Sequence, residues 1–94
     1  MKRQEINSII LEYLKKYHVE RVGIFGSFVR NQNHNFSDLD LLISFKKNPT
    51  LLQLVKIERE LSELLHIKVD IVTEPSLTDP LLKKNIEKDL QIIS

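Results

Sequence analysis

The chain has 94 residues, enough for one domain and too few for two. Its formal charge of +1 supplies no bulk attraction to nucleic acid or to a membrane surface, and the absence of cysteine excludes disulfides and thiolate metal sites. No apolar run approaches the roughly 18–20 residues that span a bilayer, and the N-terminal residues lead into an amphipathic segment instead of a signal-peptide block. The expected compartment is the cytoplasm.

Residues 2–17 carry Ile6, Ile10, Tyr13, Leu14 and Tyr17 at helical spacing, with Lys15 and Lys16 late in the segment, where they favour the helix dipole. Val19–Phe25 reads as a short strand that Gly26 breaks. Ser27 is placed to cap a turn containing Phe28, Val29 and Arg30, and residues 31–37 are polar and loop-like. Leu39–Phe45 is a second strand and residues 46–49 a turn. Thr50 is placed to cap a helix that runs to about Leu65, with Leu54, Ile57, Leu61 and Leu64 as its apolar stripe. The leucines between Leu51 and Leu65 are expected in the core. Residues 68–73 form a third strand, Pro75 and Pro80 bracket a loop, and residues 81–88 are helical. Residues 90–93 are either a short last strand or a partner-facing tail. The order α-β-α-β-α-β-α implies an α+β or α/β layer with helices packed on one sheet. Strand direction is not set by this pattern.

Three aspartates stand out against it. Asp38 and Asp40 lie at the start of the second strand run and Asp70 lies inside the third. Aspartate is depleted in strands and costly to bury unpaired. Strand side chains alternate, so Asp38 and Asp40 share a face with Cα atoms about 6.5–7 Å apart. A carboxylate from a neighbouring strand would complete a dense negative pocket, which a cation such as Mg²⁺ neutralises with hard oxygen ligands. Two such ions roughly 3.5–4 Å apart clamp the attacking and leaving oxygens of a phosphoryl displacement. Asp70 is placed to join that set or to take a proton from an attacking hydroxyl. Gly26 allows a sharp turn close to a ligand, Ser27 offers a hydroxyl and an N–H to phosphate oxygens, and Arg30 offers positive charge to a triphosphate or pyrophosphate. Taken singly, Asp70 reads first as a partner of Lys68 or another surface cation, and Asp38 and Asp40 read equally as a strand-entry cap and one exposed strand carboxylate. His18, His34 and His66 lack metal-ligand spacing and read as surface or boundary residues.

Gly26-Ser27, a gap of ten residues, Asp38-x-Asp40 and a later strand Asp70 together resemble the nucleotidyltransferase superfamily of DNA polymerase β type. The short length and the string Gly26-Ser27-Phe28-Val29-Arg30 resemble its minimal nucleotidyltransferases, the MntA-like antitoxins encoded beside a HEPN-domain toxin. The resemblance covers about residues 19–72. It implies a mixed sheet with Asp38, Asp40 and Asp70 on adjacent strands as metal ligands and catalytic carboxylates, and Gly26 and Ser27 at the nucleotide phosphates. It also implies ATP as donor and a tyrosine hydroxyl of the toxin as acceptor, with residues 1–94 as one such domain. Asn31 departs from the glycine that many relatives carry after the arginine. Two other functions are compatible with the chain. One is a binding module that neutralises the HEPN partner by contact, using the apolar tail Leu90, Ile92 and Ile93. The other is nucleotidyl transfer to a small molecule, which in larger relatives uses an added acceptor domain.

Overall fold

A computed structural model describes residues 2–26, 38–74 and 78–94. Helix α1 (Arg3–Leu14) continues as a 3-10 turn over Lys15–Tyr17 and stops at His18, which takes a left-handed backbone with φ 53°. Strand β1 (Val19–Phe25) follows, then β2 (Leu39–Phe45), α2 (Leu51–Leu65), β3 (Val69–Thr73), α3 (Pro80–Asp89) and a two-residue β4 (Gln91–Ile92). The cap expected at Thr50 forms, as a capping box: its hydroxyl accepts from the Gln53 N–H, and the Gln53 side chain accepts from the Thr50 N–H. Asp79 caps α3, whose first residue is Pro80, a position where a missing N–H costs nothing. The short turn expected after Ser27 lies outside the described residues.

The four strands form one mixed sheet in the order β3-β2-β1-β4. β1 is antiparallel to β2 and β4, and β2 is parallel to β3, with α2 as the crossover. Residues 90–93 thus contribute a strand. Ile93 packs against the core and Leu90 lies over Gly23, where an added Cβ would come within 2.5 Å of a Leu90 methyl. Only Ile92 of that apolar tail remains substantially exposed.

The core forms between one sheet face and helices α1 and α2. Leu39, Leu41, Ile43 and Phe45 of β2 meet Val22 and Ile24 of β1, Ile6, Ile10 and Leu14 of α1, and Ile57, Leu61 and Leu65 of α2. A bulge between Val19 and Arg21 resets the pleat, so Val19 and Val22 both reach this core. The stripe of α2 differs from expectation. Residues 57, 61 and 65 recur at steps of four and are buried, whereas Leu64 is half exposed and Leu51, Leu52 and Val55 face outward. The contact line follows the i, i+4 row of the helix surface, which passes through Leu65 and leaves Leu64 to one side. Among the described residues, the opposite sheet face is covered only in part, by α3 through Ile86 and by Leu90.

Candidate active site

The three aspartates lie on the second, partly covered face. Strand alternation requires it: with Leu39 and Leu41 fully buried under the helices, Asp38 and Asp40 must point the other way. Asp40 and Asp70 are direct partners in the parallel β2–β3 register. Their side chains therefore leave the same face from strands about 4.8 Å apart. Both are half-buried. Asp38 stands just before β2, beside Lys68, whose carbonyl accepts from the Leu39 N–H at 2.8 Å. The Lys68 ammonium lies 3.9 Å from an Asp38 carboxylate oxygen, with the two side chains 71% and 44% exposed.

Gly26 closes the end of this face. It follows Phe25, the residue paired with Asp40, and its φ of +82° belongs to the left-handed region that side chains resist. A Cβ there would stand 2.5 Å from Asp40 Oδ2. Glycine is therefore required twice, by its own backbone and by the carboxylate packed against it. Ser27 and Arg30, the other two residues expected at the site, lie outside the described residues.

Among the described residues, no three carboxylate or imidazole groups are gathered tightly enough to hold a metal ion. The register brings Asp40 and Asp70 together, while Asp38 shares their face and is turned toward Lys68. The donors are all carboxylate oxygens, which suits a hard divalent cation such as Mg²⁺. Asp40 and Asp70 could hold one, joined by Asp38 once it leaves Lys68. Leu42, one alternation beyond Asp40 on the same face, floors a cavity of about 310 Å³ under α3, lined also by Arg21, Glu74, Lys83 and Glu87. Arg21 and Glu74 form an ion pair across it.

Sequence reasoning misplaces or overlooks three residues here. Lys68, a candidate partner for Asp70 by its position in the strand, stands instead by Asp38. Glu58 and Ser62 of α2 accept hydrogen bonds from the backbone of β3 on either side of Asp70. Their i, i+4 spacing beside the buried stripe is the available signal, though it does not name the strand they reach.

A family model described as a nucleotidyltransferase domain matches residues 6–93. A presumed protein adenylyltransferase of Methanocaldococcus jannaschii is 43% identical over 90 residues, 92% of each chain. The protein adenylyltransferase MntA of Thermococcus cleftensis is 36% identical over 84 residues, 85% of each chain. A solved structure of a presumed minimal nucleotidyltransferase is 32% identical with a TM-score of 0.78, covering 94% of this chain and 89% of that one. The fold also matches the structure of a tri-AMPylated HEPN toxin in complex with an MNT antitoxin from Shewanella oneidensis. There the identity is 16% and the TM-score 0.80, over 99% of this chain and 72% of that one. A mixed sheet carrying paired carboxylates, a family match over nearly the whole chain and relatives above 40% identity agree: the chain belongs to the nucleotidyltransferase family of enzymes, among the MntA-like protein adenylyltransferases.

Proposed function

We propose that this chain, as one minimal nucleotidyltransferase domain acting in the cytoplasm, transfers AMP from ATP to a tyrosine hydroxyl of a HEPN-domain toxin and thereby silences it. The observation that carries this reading is the Asp40–Asp70 pair, in register on adjacent strands, with Gly26 packed against Asp40. The AMPylated HEPN toxin in the Shewanella complex supports the acceptor class.

In the transfer, the tyrosine oxygen bonds to the α-phosphorus of ATP. The bond from that phosphorus to the α,β-bridging oxygen breaks, and pyrophosphate leaves. Bound at the carboxylates, Mg²⁺ would supply Lewis-acid charge to the phosphate oxygens. Asp38, Asp40 and Asp70 would be its ligands. Asp70 would also take the phenolic proton, from its place across from Asp40. Gly26 and Ser27 would lie against the phosphates, and Arg30 would offset charge on the leaving pyrophosphate.

The test combines ATP labelled at its α-phosphate, Mg²⁺ and a HEPN-domain toxin. Label should appear on a toxin tyrosine and the toxin should lose its activity. Asp40→Asn should lower labelling about a hundredfold or more. A toxin that stays unlabelled and is neutralised equally by Asp40→Asn would show that the chain acts by contact instead.

A further inference from the structure

We infer that Glu58 and Ser62 of α2 are positioning residues for Asp70, an inference that rests on the adenylyl-transfer reading of the site. Among the described residues, β3 is an edge strand with β2 as its single sheet neighbour. In a parallel pair, alternate residues turn their N–H groups toward the neighbour, and those between turn them away. The outward groups of β3 are those of Val69 and Ile71, the two residues flanking Asp70. The Val69 N–H donates to Ser62 Oγ at 2.9 Å, and the Ile71 N–H donates to Glu58 Oε2 at 3.2 Å. Both acceptors are half-buried, one helical turn apart on α2.

The consequence for the site is geometric. β3 has only five residues, and its ladder to β2 fixes Asp70 from one side. A slip by one residue would send Asp70 to the helix-covered face and place Val69 or Ile71 opposite Asp40. The two bonds from α2 brace the same peptide segment from the other side. The helix that buries Ile57, Leu61 and Leu65 in the core is thus the helix that holds Asp70 in register with Asp40. Edge protection alone would explain bonds to outward N–H groups, but it predicts no effect on the carboxylates.

The experiment titrates the isolated full chain with Mn²⁺ alone, read by electron paramagnetic resonance, and records thermal melts of the same samples. Glu58→Ala and Ser62→Ala should each weaken Mn²⁺ binding about tenfold. Glu58→Gln and Ser62→Thr retain an oxygen acceptor and should bind within about twofold of the parent. Amide exchange at Val69 and Ile71 should quicken in the alanine variants. Alanine variants that melt earlier yet bind Mn²⁺ as the parent does would reduce both residues to edge protection and overturn the inference alone. A parent chain that binds no Mn²⁺, with Asp40→Asn indistinguishable from it, would overturn the adenylyl-transfer reading and this inference together.

Discussion

On one face of the sheet, β2 places Leu39, Leu41, Ile43 and Phe45 beneath α1 and α2, and none retains more than 7% exposure. On the other face the same segment places Asp38, Asp40, Leu42 and Ser44, with the carboxylates half-buried. Neighbouring residues of one strand thus serve opposite ends. The first face contributes stability in proportion to the apolar area it removes from water. The second gives up that area at Asp38 and Asp40, though not at the buried Leu42, to keep charge where a ligand can use it. Removing an apolar side chain from the first face should therefore cost folding free energy, and removing a carboxylate from the second should cost chemistry.

The largest effect expected from this contrast is a pair of substitutions at adjacent positions. Leu41→Ala leaves a cavity among Ile24, Ile43 and the helices and should destabilise the chain by about 2–5 kcal/mol in urea unfolding. Asp40→Asn conserves shape on the other face and should change stability by less than about 1 kcal/mol while removing AMP transfer. Equal losses of stability at the two positions would mean that Asp40 is held for folding, and the division between faces would not stand.

Much of this division is legible in the sequence, because period-two alternation within Leu39–Phe45 by itself sets the apolar residues apart from Asp40. The span of β1, the capping of α2 by Thr50 and the break at Gly26 are local properties, and they are legible for the same reason. What is not legible depends on pieces of chain far apart. The direction of β3 relative to β2, on which the Asp40–Asp70 pairing rests, follows from the crossover through α2. The choice of Leu65 over Leu64 follows from the angle at which α2 lies on its neighbours. Tyr13 reads from its helical spacing as a packing residue, yet its hydroxyl also donates to Glu60, 47 residues away. No periodicity encodes that contact.

A second substitution works on the boundary between the faces. Gly26→Ala demands a side chain at φ +82° and sets its Cβ against Asp40 Oδ2. The strain should cost about 1–3 kcal/mol, an effect between those of Leu41→Ala and Asp40→Asn. Unlike either, it should lower the melting temperature and Mn²⁺ affinity together, since the Asp40 carboxylate must move aside. A variant that loses stability but keeps parental Mn²⁺ binding would show that the carboxylate relaxes without consequence for the site.

A smaller and opposite effect is expected at Lys68. Its ammonium neutralises Asp38 across 3.9 Å of largely solvated space, so the pair adds little to stability. Lys68 and a divalent cation would compete for the same carboxylate. Lys68→Met should leave the melt nearly unchanged and tighten Mn²⁺ binding about two- to fivefold, the scale of a surface ion pair. Weaker binding in this variant would mean that Lys68 orients Asp38 for the metal instead of competing with it.

The smallest effect belongs to the helix-covered side, at the hydrogen bond from Tyr13 to Glu60 that joins α1 to α2. Burial, then the hydrogen bond to Glu60, pushes the Tyr13 hydroxyl well above the usual tyrosine range. The bond from Tyr13 holds the Glu60 carboxyl below its ordinary value. A lowered carboxyl contributes stability that is present above its unfolded pKa and lost as pH falls through the folded one. A raised tyrosine contributes stability that is present below its unfolded pKa and lost as pH rises through the folded one. The contribution of the pair is thus complete between the ordinary carboxylate and tyrosine ranges and declines on both sides. Tyr13→Phe should lower the melting temperature slightly near neutral pH and flatten both flanks of the melting-temperature profile, with Mn²⁺ binding unchanged. Unaltered flanks would remove the Tyr13–Glu60 bond from the forces that hold α1 against α2. A change in Mn²⁺ affinity would instead carry its influence through the sheet to the carboxylate face and weaken the separation of the two faces.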